Sequence, residues 1–172
     1  MNIFARISKL MCPQYKYAEY LRNRGYSIGR DCYVFKTVNF GSEPYLITIG
    51  DHVRLNDGVK LITHDGGLWV LRNLYQEYGA VFKDADRFGK IVIGNNVHIG
   101  TDAIIMPGIT IGDNSIIACN AVVTHNVDSN TIVGGVPAKK IESLREYAEK
   151  NIDRVVKTNS MTAKEKREYI MS

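Results

Sequence analysis

Four histidines carry most of the acid–base capacity of this chain, and their surroundings differ. His64 lies in "LITHDGGLWV", with an acid, Asp65, beside it and Gly66 and Gly67 leaving room for another group. An imidazole with an ordinary pKa near 6.5 takes a proton at neutral pH, and a positioned general base of this kind is worth roughly 10² to 10⁴ in rate. His52 sits in "IGDHVRL" and His98 and His125 in a regular run, none beside a sequence irregularity. Successive histidines are 12, 34 and 27 residues apart with no HxxxxH-type pair, so the spacing of a three-histidine zinc site is missing and no metal is expected. Cys12, Cys32 and Cys119 are odd in number and lack CxxC spacing, which fits a reducing, cytoplasmic compartment better than a disulfide framework.

The elements that must position these groups announce themselves by a period of six. In residues 93–127 an aliphatic residue recurs at Ile93, Ile99, Ile105, Ile111, Ile117 and Val123. Counting these as position 1, position 5 is Val97, Ala103, Ile109, Ser115, Ala121 and Val127, and it shares a strand face with the next position 1. Position 4 is Asn96, Asp102, Gly108, Asn114, Asn120 and Asn126, all residues that tolerate positive φ. Each hexad is therefore a short strand plus a corner. Three sides close a coil of about 18 residues, and coils stacked roughly 4.8 Å apart satisfy one another's backbone groups. The fold class expected is all-β, a left-handed parallel β-helix of hexapeptide repeats, with short N- and C-terminal helices and one long external loop.

The same phase runs, with slips, through Ile28, Val34, Phe40, Ile49, Leu55 and Leu61. "GSEPYL" adds three residues between Phe40 and Ile49, and a loop at about 66–89 separates Leu61 from Ile93. His52 and His64 both fall at position 4, so each also has a plain turn reading. Ahead of the coils, "PQYKYAEYLRNRG" reads as a short helix from Pro13 to Gly25. After them, Ile141, Leu144, Tyr147, Ala148 and Ile152 fall at helical spacing, and "TAKEKREYIM" predicts a second helix. The expected organisation is an N-terminal helical segment at 1–27, the β-helix at 28–137 and a C-terminal helical cap over its open end at 138–172.

The 172 residues suit one domain with a core, and 45% hydrophobic with 23% charged content argues against disorder. The net charge of +4 is uneven: residues 1–30 hold Arg6, Lys9, Lys16, Arg22, Arg24 and Arg30 against Glu19 alone. That arm suits either a solvated helix face or weak contact with a membrane surface or acidic polymer, and no nucleic-acid motif accompanies it. "MNIFARISKLMC" is too short and interrupted for a transmembrane span or a signal h-region.

The run "IGNNVHIGTDAIIMPGITIGDNSIIACNAVVTHNVDSNTIVGGVPAKKI" closely resembles the end of the β-helix in hexapeptide-repeat acyltransferases of the maltose, galactoside and chloramphenicol acetyltransferase group. "FGSEPYLITIGDHV" followed by "ITHDGG" is similar to the sugar and capsular-polysaccharide O-acetyltransferase branch. The resemblance implies a homotrimer with acetyl-CoA in grooves between adjacent subunits. It assigns the catalytic histidine to His64, oriented by a carboxylate for which Asp65 and Glu43 are both candidates. It places Trp69, Arg72 and Tyr75 of the loop beside an acceptor sugar, where each has an alternative role in holding the trimer. Donor contacts fall near Thr101 and Cys119, at Thr124 and His125, where His125 replaces the family's lysine, and at Lys139 and Lys140 for the 3′-phosphate. His98 stands where several relatives have tryptophan, which weakens any stacking there.

The function this implies is direct, acetyl-CoA-dependent O-acetylation of a sugar or polysaccharide hydroxyl with a histidine general base. An N-acetyltransferase acting on an amino sugar, a small-molecule acetyltransferase and a non-catalytic β-helix assembly protein are the alternatives.

Overall fold

The structure, a computed structural model, describes residues 3–74 and 76–172. Its body is a coil with three parallel sheets as sides. The first side stacks Ser27–Ile28, Ile47–Ile49, Ile91–Ile93 and Thr110–Ile111. The second stacks Tyr33–Val34, Arg54–Leu55, His98–Ile99, Ile116–Ile117 and Thr131–Gly134, and the third Lys60–Leu61, Ile104–Ile105 and Val122–Val123. Ile93 pairs with Ile111, Ile99 with Ile117 and Ile105 with Val123, so one full turn takes three hexads. Every position-1 and position-5 residue of the 93–127 run is buried, Ser115 included, its hydroxyl donating to the Asp113 and Asp128 carbonyls at 3.4 and 3.1 Å.

The corners follow from residue type. Asp31, His52, Asn96, Asp102, Asn114 and Asn120 hold φ between 54° and 58°, and Gly108 holds 82°. His52 thus serves as a turn residue. Asn126 departs from the expected pattern, and Asn130 takes the left-handed place with φ 60°. The last turn is two residues short, Ile117 pairing with Val133, and this moves the corner.

Six α-helices among the described residues accompany the coil. The helix expected from Pro13 to Gly25 is a 3-10 turn at Gln14–Lys16 followed by α2 (Tyr17–Arg22), and a further helix, α1 (Ile3–Met11), precedes it. α2 buries Tyr17, Ala18 and Leu21 against the core, which covers the first coil. α3 (Leu68–Leu74) and α4 (Gln76–Phe82) occupy the excursion read from sequence as a loop. α5 (Leu144–Asn151) and α6 (Ala163–Met171) follow the coil, each opened by a capping box, Ser143 with Glu146 and Thr162 with Glu165.

The C-terminal helical cap needs correction. Residues Lys139–Ser143, expected within a helix, form a strand antiparallel to Thr131–Gly134, and neither α5 nor α6 contains a buried residue. The unpaired edge of the last coil offers backbone partners that a helix at Ile141 cannot match, and that edge is covered by a strand, the helix starting only at Leu144.

Candidate active site

His64 stands where the chain leaves the third side. The ladder continues past Leu61 as Ile62 N–H donates to the Ile105 carbonyl at 2.9 Å. The excursion then closes on itself: Gly89 N–H donates to the Thr63 carbonyl and Asp65 N–H to the Arg87 carbonyl, both at 2.9 Å, with His64 opposite Phe88. His64 is not among the positive-φ residues, so the left-handed turn that explains His52 does not explain it. The Phe88 ring meets the imidazole edge-on at 6.3 Å between centroids.

Glu43 reaches this point from the bulge in the preceding coil. Gly41 turns there with φ 66°, and a 3-10 turn at Pro44–Leu46 is closed by Leu46 N–H donating to the Glu43 carbonyl at 3.0 Å. Glu43 Oε2 accepts from Thr63 Oγ1 at 2.6 Å and lies 3.1 Å from His64 Nδ1. The Glu43 side chain is 15% exposed and that of His64 45%, so the acid is sheltered and the imidazole open to solvent. The Thr63 hydroxyl above all, then the His64 contact, holds the Glu43 carboxyl below the usual carboxylate range against desolvation. A carboxylate at Nδ1 demands a proton there, and so leaves the Nε2 lone pair available as a base.

Of the two acids considered, Glu43 faces the imidazole. Asp65 turns to the excursion, where Oδ1 accepts from Gly67 N–H at 2.9 Å and Oδ2 lies 3.8 Å from Arg87 Nη1. Which acid this would be depended on the register of a three-residue bulge, which local sequence does not encode. Thr63 was missed in the sequence, although a signal existed: it shares strand parity with Leu61, and an inward hydroxyl needs a partner. Thr63 is fully buried. Phe88 carried no comparable signal, because its place depends on how the excursion returns.

The remaining expected residues are dispersed. Thr101 and Cys119 adjoin at the corner between second and third sides, where Asn120 N–H donates to the Thr101 carbonyl at 2.9 Å and Cys119 is exposed. Thr124 Oγ1 and His125 Nδ1 are 2.9 Å apart just past the third side, and His125 shares a cleft of about 120 Å³ with Lys140. Lys139 and Lys140 are exposed on the covering strand. His98 stands on the second side between Arg54 and Ile116, and burial, then Arg54, pushes its imidazole pKa down. His98 and the cleft of His125 and Lys140 thus lie on different parts of the coil.

Trp69 on α3 is 70% exposed. Arg72 is engaged inside the excursion, donating to the Phe82 and Ala85 carbonyls at 3.2 and 2.9 Å and to Asp86 at 2.8 Å, which ties α3 to the segment after α4. Tyr75 lies outside the described residues. Among the described residues no three His, Cys, Asp or Glu side chains gather as a metal set. No helix among them is long and apolar enough to cross a membrane.

A coil built of hexapeptide turns is the architecture of a class of acyltransferases. The chain belongs to the hexapeptide-repeat transferase family, whose members wind left-handedly. Residues 90–125 match the family model described as bacterial transferase hexapeptide, six repeats. Protein CapG of Staphylococcus aureus is 44% identical over 155 residues, spanning 88% of this chain and 86% of that protein. Galactoside O-acetyltransferase of Escherichia coli (strain K12) is 34% identical over 120 residues, 69% of this chain, which spans 54% of that enzyme. Among solved structures, a hexapeptide-repeat containing acetyltransferase from Vibrio cholerae superposes with a TM-score of 0.57 at 26% identity, covering 80% of this chain and 85% of that one. A galactoside acetyltransferase in complex with coenzyme A superposes at 0.53 with 29% identity, covering 71% and 56%.

Proposed function

We propose that this acyltransferase moves an acetyl group from acetyl-CoA directly to a hydroxyl of a sugar or polysaccharide, with His64 as general base and Glu43 as its positioning residue. The observation that carries the reading is the Thr63–Glu43–His64 relay at the root of the excursion. The coenzyme A bound by a galactoside acetyltransferase of the same fold supports the donor.

In this mechanism His64 Nε2 takes the proton of the acceptor hydroxyl as its oxygen attacks the thioester carbonyl. Backbone N–H groups stabilise the oxyanion, and the imidazolium returns its proton to the departing thiolate of CoA. Glu43 keeps the Nδ1 proton in place and stabilises the transient positive charge. No serine or cysteine nucleophile takes part. Thr101, Cys119, Thr124, His125, Lys139 and Lys140 form one wall of the donor groove, completed by an adjacent subunit of a homotrimer. This arrangement accounts for their dispersal on the single chain. Trp69 faces the acceptor at the same junction.

Incubation with radiolabelled acetyl-CoA and a sugar panel tests the reading. Label should appear on a sugar as an ester released by hydroxylamine at mild pH; a hydroxylamine-stable amide, or no transfer at all, would contradict it.

A further inference from the structure

A concavity of about 430 Å³ lies between the N-terminal helices and the first coils. Lys9 of α1, Arg24 just after α2 and Lys36 of the coil line it together with Tyr20, Asn39 and Gly41, and no acid is among its lining residues. Three cations from three separate segments meet here. Among the described residues none of them forms an ion pair with a carboxylate.

Neutral partners hold the cations instead. The Arg24 guanidinium lies 3.8 Å from the Tyr20 ring centroid and donates to Ser8 Oγ at 3.0 Å. Lys36 Nζ donates to the Leu10 carbonyl at 3.1 Å, and Lys9 Nζ stands 5.6 Å from the Tyr17 ring centroid. Gathering like charges without counter-ions is unfavourable for the fold alone, and it is offset when an anion binds.

The pocket also abuts the catalytic relay. Gly41 is in its wall, and a Cβ added there would lie 3.1 Å from Thr63 Oγ1, the hydroxyl that donates to Glu43. A ligand in the pocket would therefore lie against the turn that leads from Gly41 to Glu43.

We propose that this pocket receives the acidic group of the acceptor, a carboxylate or phosphate on the sugar, and that Arg24, Lys36 and Lys9 determine specificity for it. The proposal rests on the acetyl-transfer reading of His64 and names its substrate class. A guanidinium forks onto a carboxylate or phosphate, and charge-assisted hydrogen bonds of this kind are worth on the order of tenfold each in affinity.

Calorimetric titration without acetyl-CoA tests the pocket separately from the chemistry. The probes are methyl glucuronide, glucose 6-phosphate and neutral methyl glucoside. At least one acid should bind about tenfold or more tightly than the glucoside, and the stronger of the two identifies carboxylate or phosphate. That preference should vanish in Arg24→Gln/Lys36→Gln and survive in the charge-keeping Arg24→Lys/Lys36→Arg. Equal binding of all three probes, no binding of either acid, or a preference that survives the glutamine pair overturns the proposal. Acid binding that depends on the cations but leads to no transfer upholds the pocket and sinks the acetyl-transfer reading; transfer to neutral sugars without acid binding does the reverse.

Discussion

Glu43 Oε2 accepts one hydrogen bond from a buried hydroxyl and faces one imidazole, so its charge has two separable consequences. The first concerns turnover. Glu43→Gln keeps the shape but removes the charge that selects the Nδ1–H tautomer, and kcat should fall on the order of a hundredfold with little change in acceptor KM. The second concerns stability. The folded-state carboxyl pKa lies below its ordinary value, chiefly through Thr63, so its contribution is present above the unfolded value of about 4.3 and is lost as pH falls through the folded one. The melting-temperature advantage of the native protein over Glu43→Gln should therefore shrink on acidification below that range; a constant difference would contradict the direction of the shift. In sequence His64 stands out because it lies beside an excursion, although its position alone suits a turn equally well. Choosing between Glu43 and Asp65 was beyond the sequence, since the deciding contact joins residues from successive coils.

At the level of elements the coil was legible because one rule, strand plus left-handed corner, repeats without interruption from Ile93 to Val123. Asn114 holds φ 56° and also links corners, donating from Nδ2 to Asn130 Oδ1 at 3.1 Å and accepting from Asn96 Nδ2 at 2.9 Å. Asn114→Leu should cost about 1–2 kcal/mol in denaturant melts from the left-handed strain alone. Where the rule stops, the sequence misled. Helical spacing at Ile141 yielded to pairing with the exposed edge of Thr131–Gly134, while Leu144, Tyr147 and Ala148 keep it in α5. The excursion contains α3 and α4, held by Arg72 rather than by any periodic pattern. Arg72→Ala should raise amide exchange across residues 68–86 while that of the coil stays unchanged; uniform exchange across the protein would deny Arg72 this fastening role.

For the molecule as a whole, the excursion displays apolar surface that one chain leaves open. Trp69 is 70% exposed, Val70 59%, Leu74 52% and Val81 67%. An exposed apolar surface of this kind suits the homotrimer proposed above, in which adjacent subunits would complete one another's donor sites. Sedimentation equilibrium should give three times the 19.3 kDa chain, and Val81→Asp should shift it towards monomer with loss of transfer. The dispersal itself was invisible in sequence, where resemblance grouped residues that the single chain places on different parts of the coil. The central claim is that His64 supplies the base, and single-turnover acetyl transfer by His64→Ala, alongside its melting temperature with and without CoA, tests it most directly. The account predicts a rate lowered by about 10² to 10⁴ with the CoA-dependent rise in melting temperature intact. Near-native transfer by that variant would contradict it.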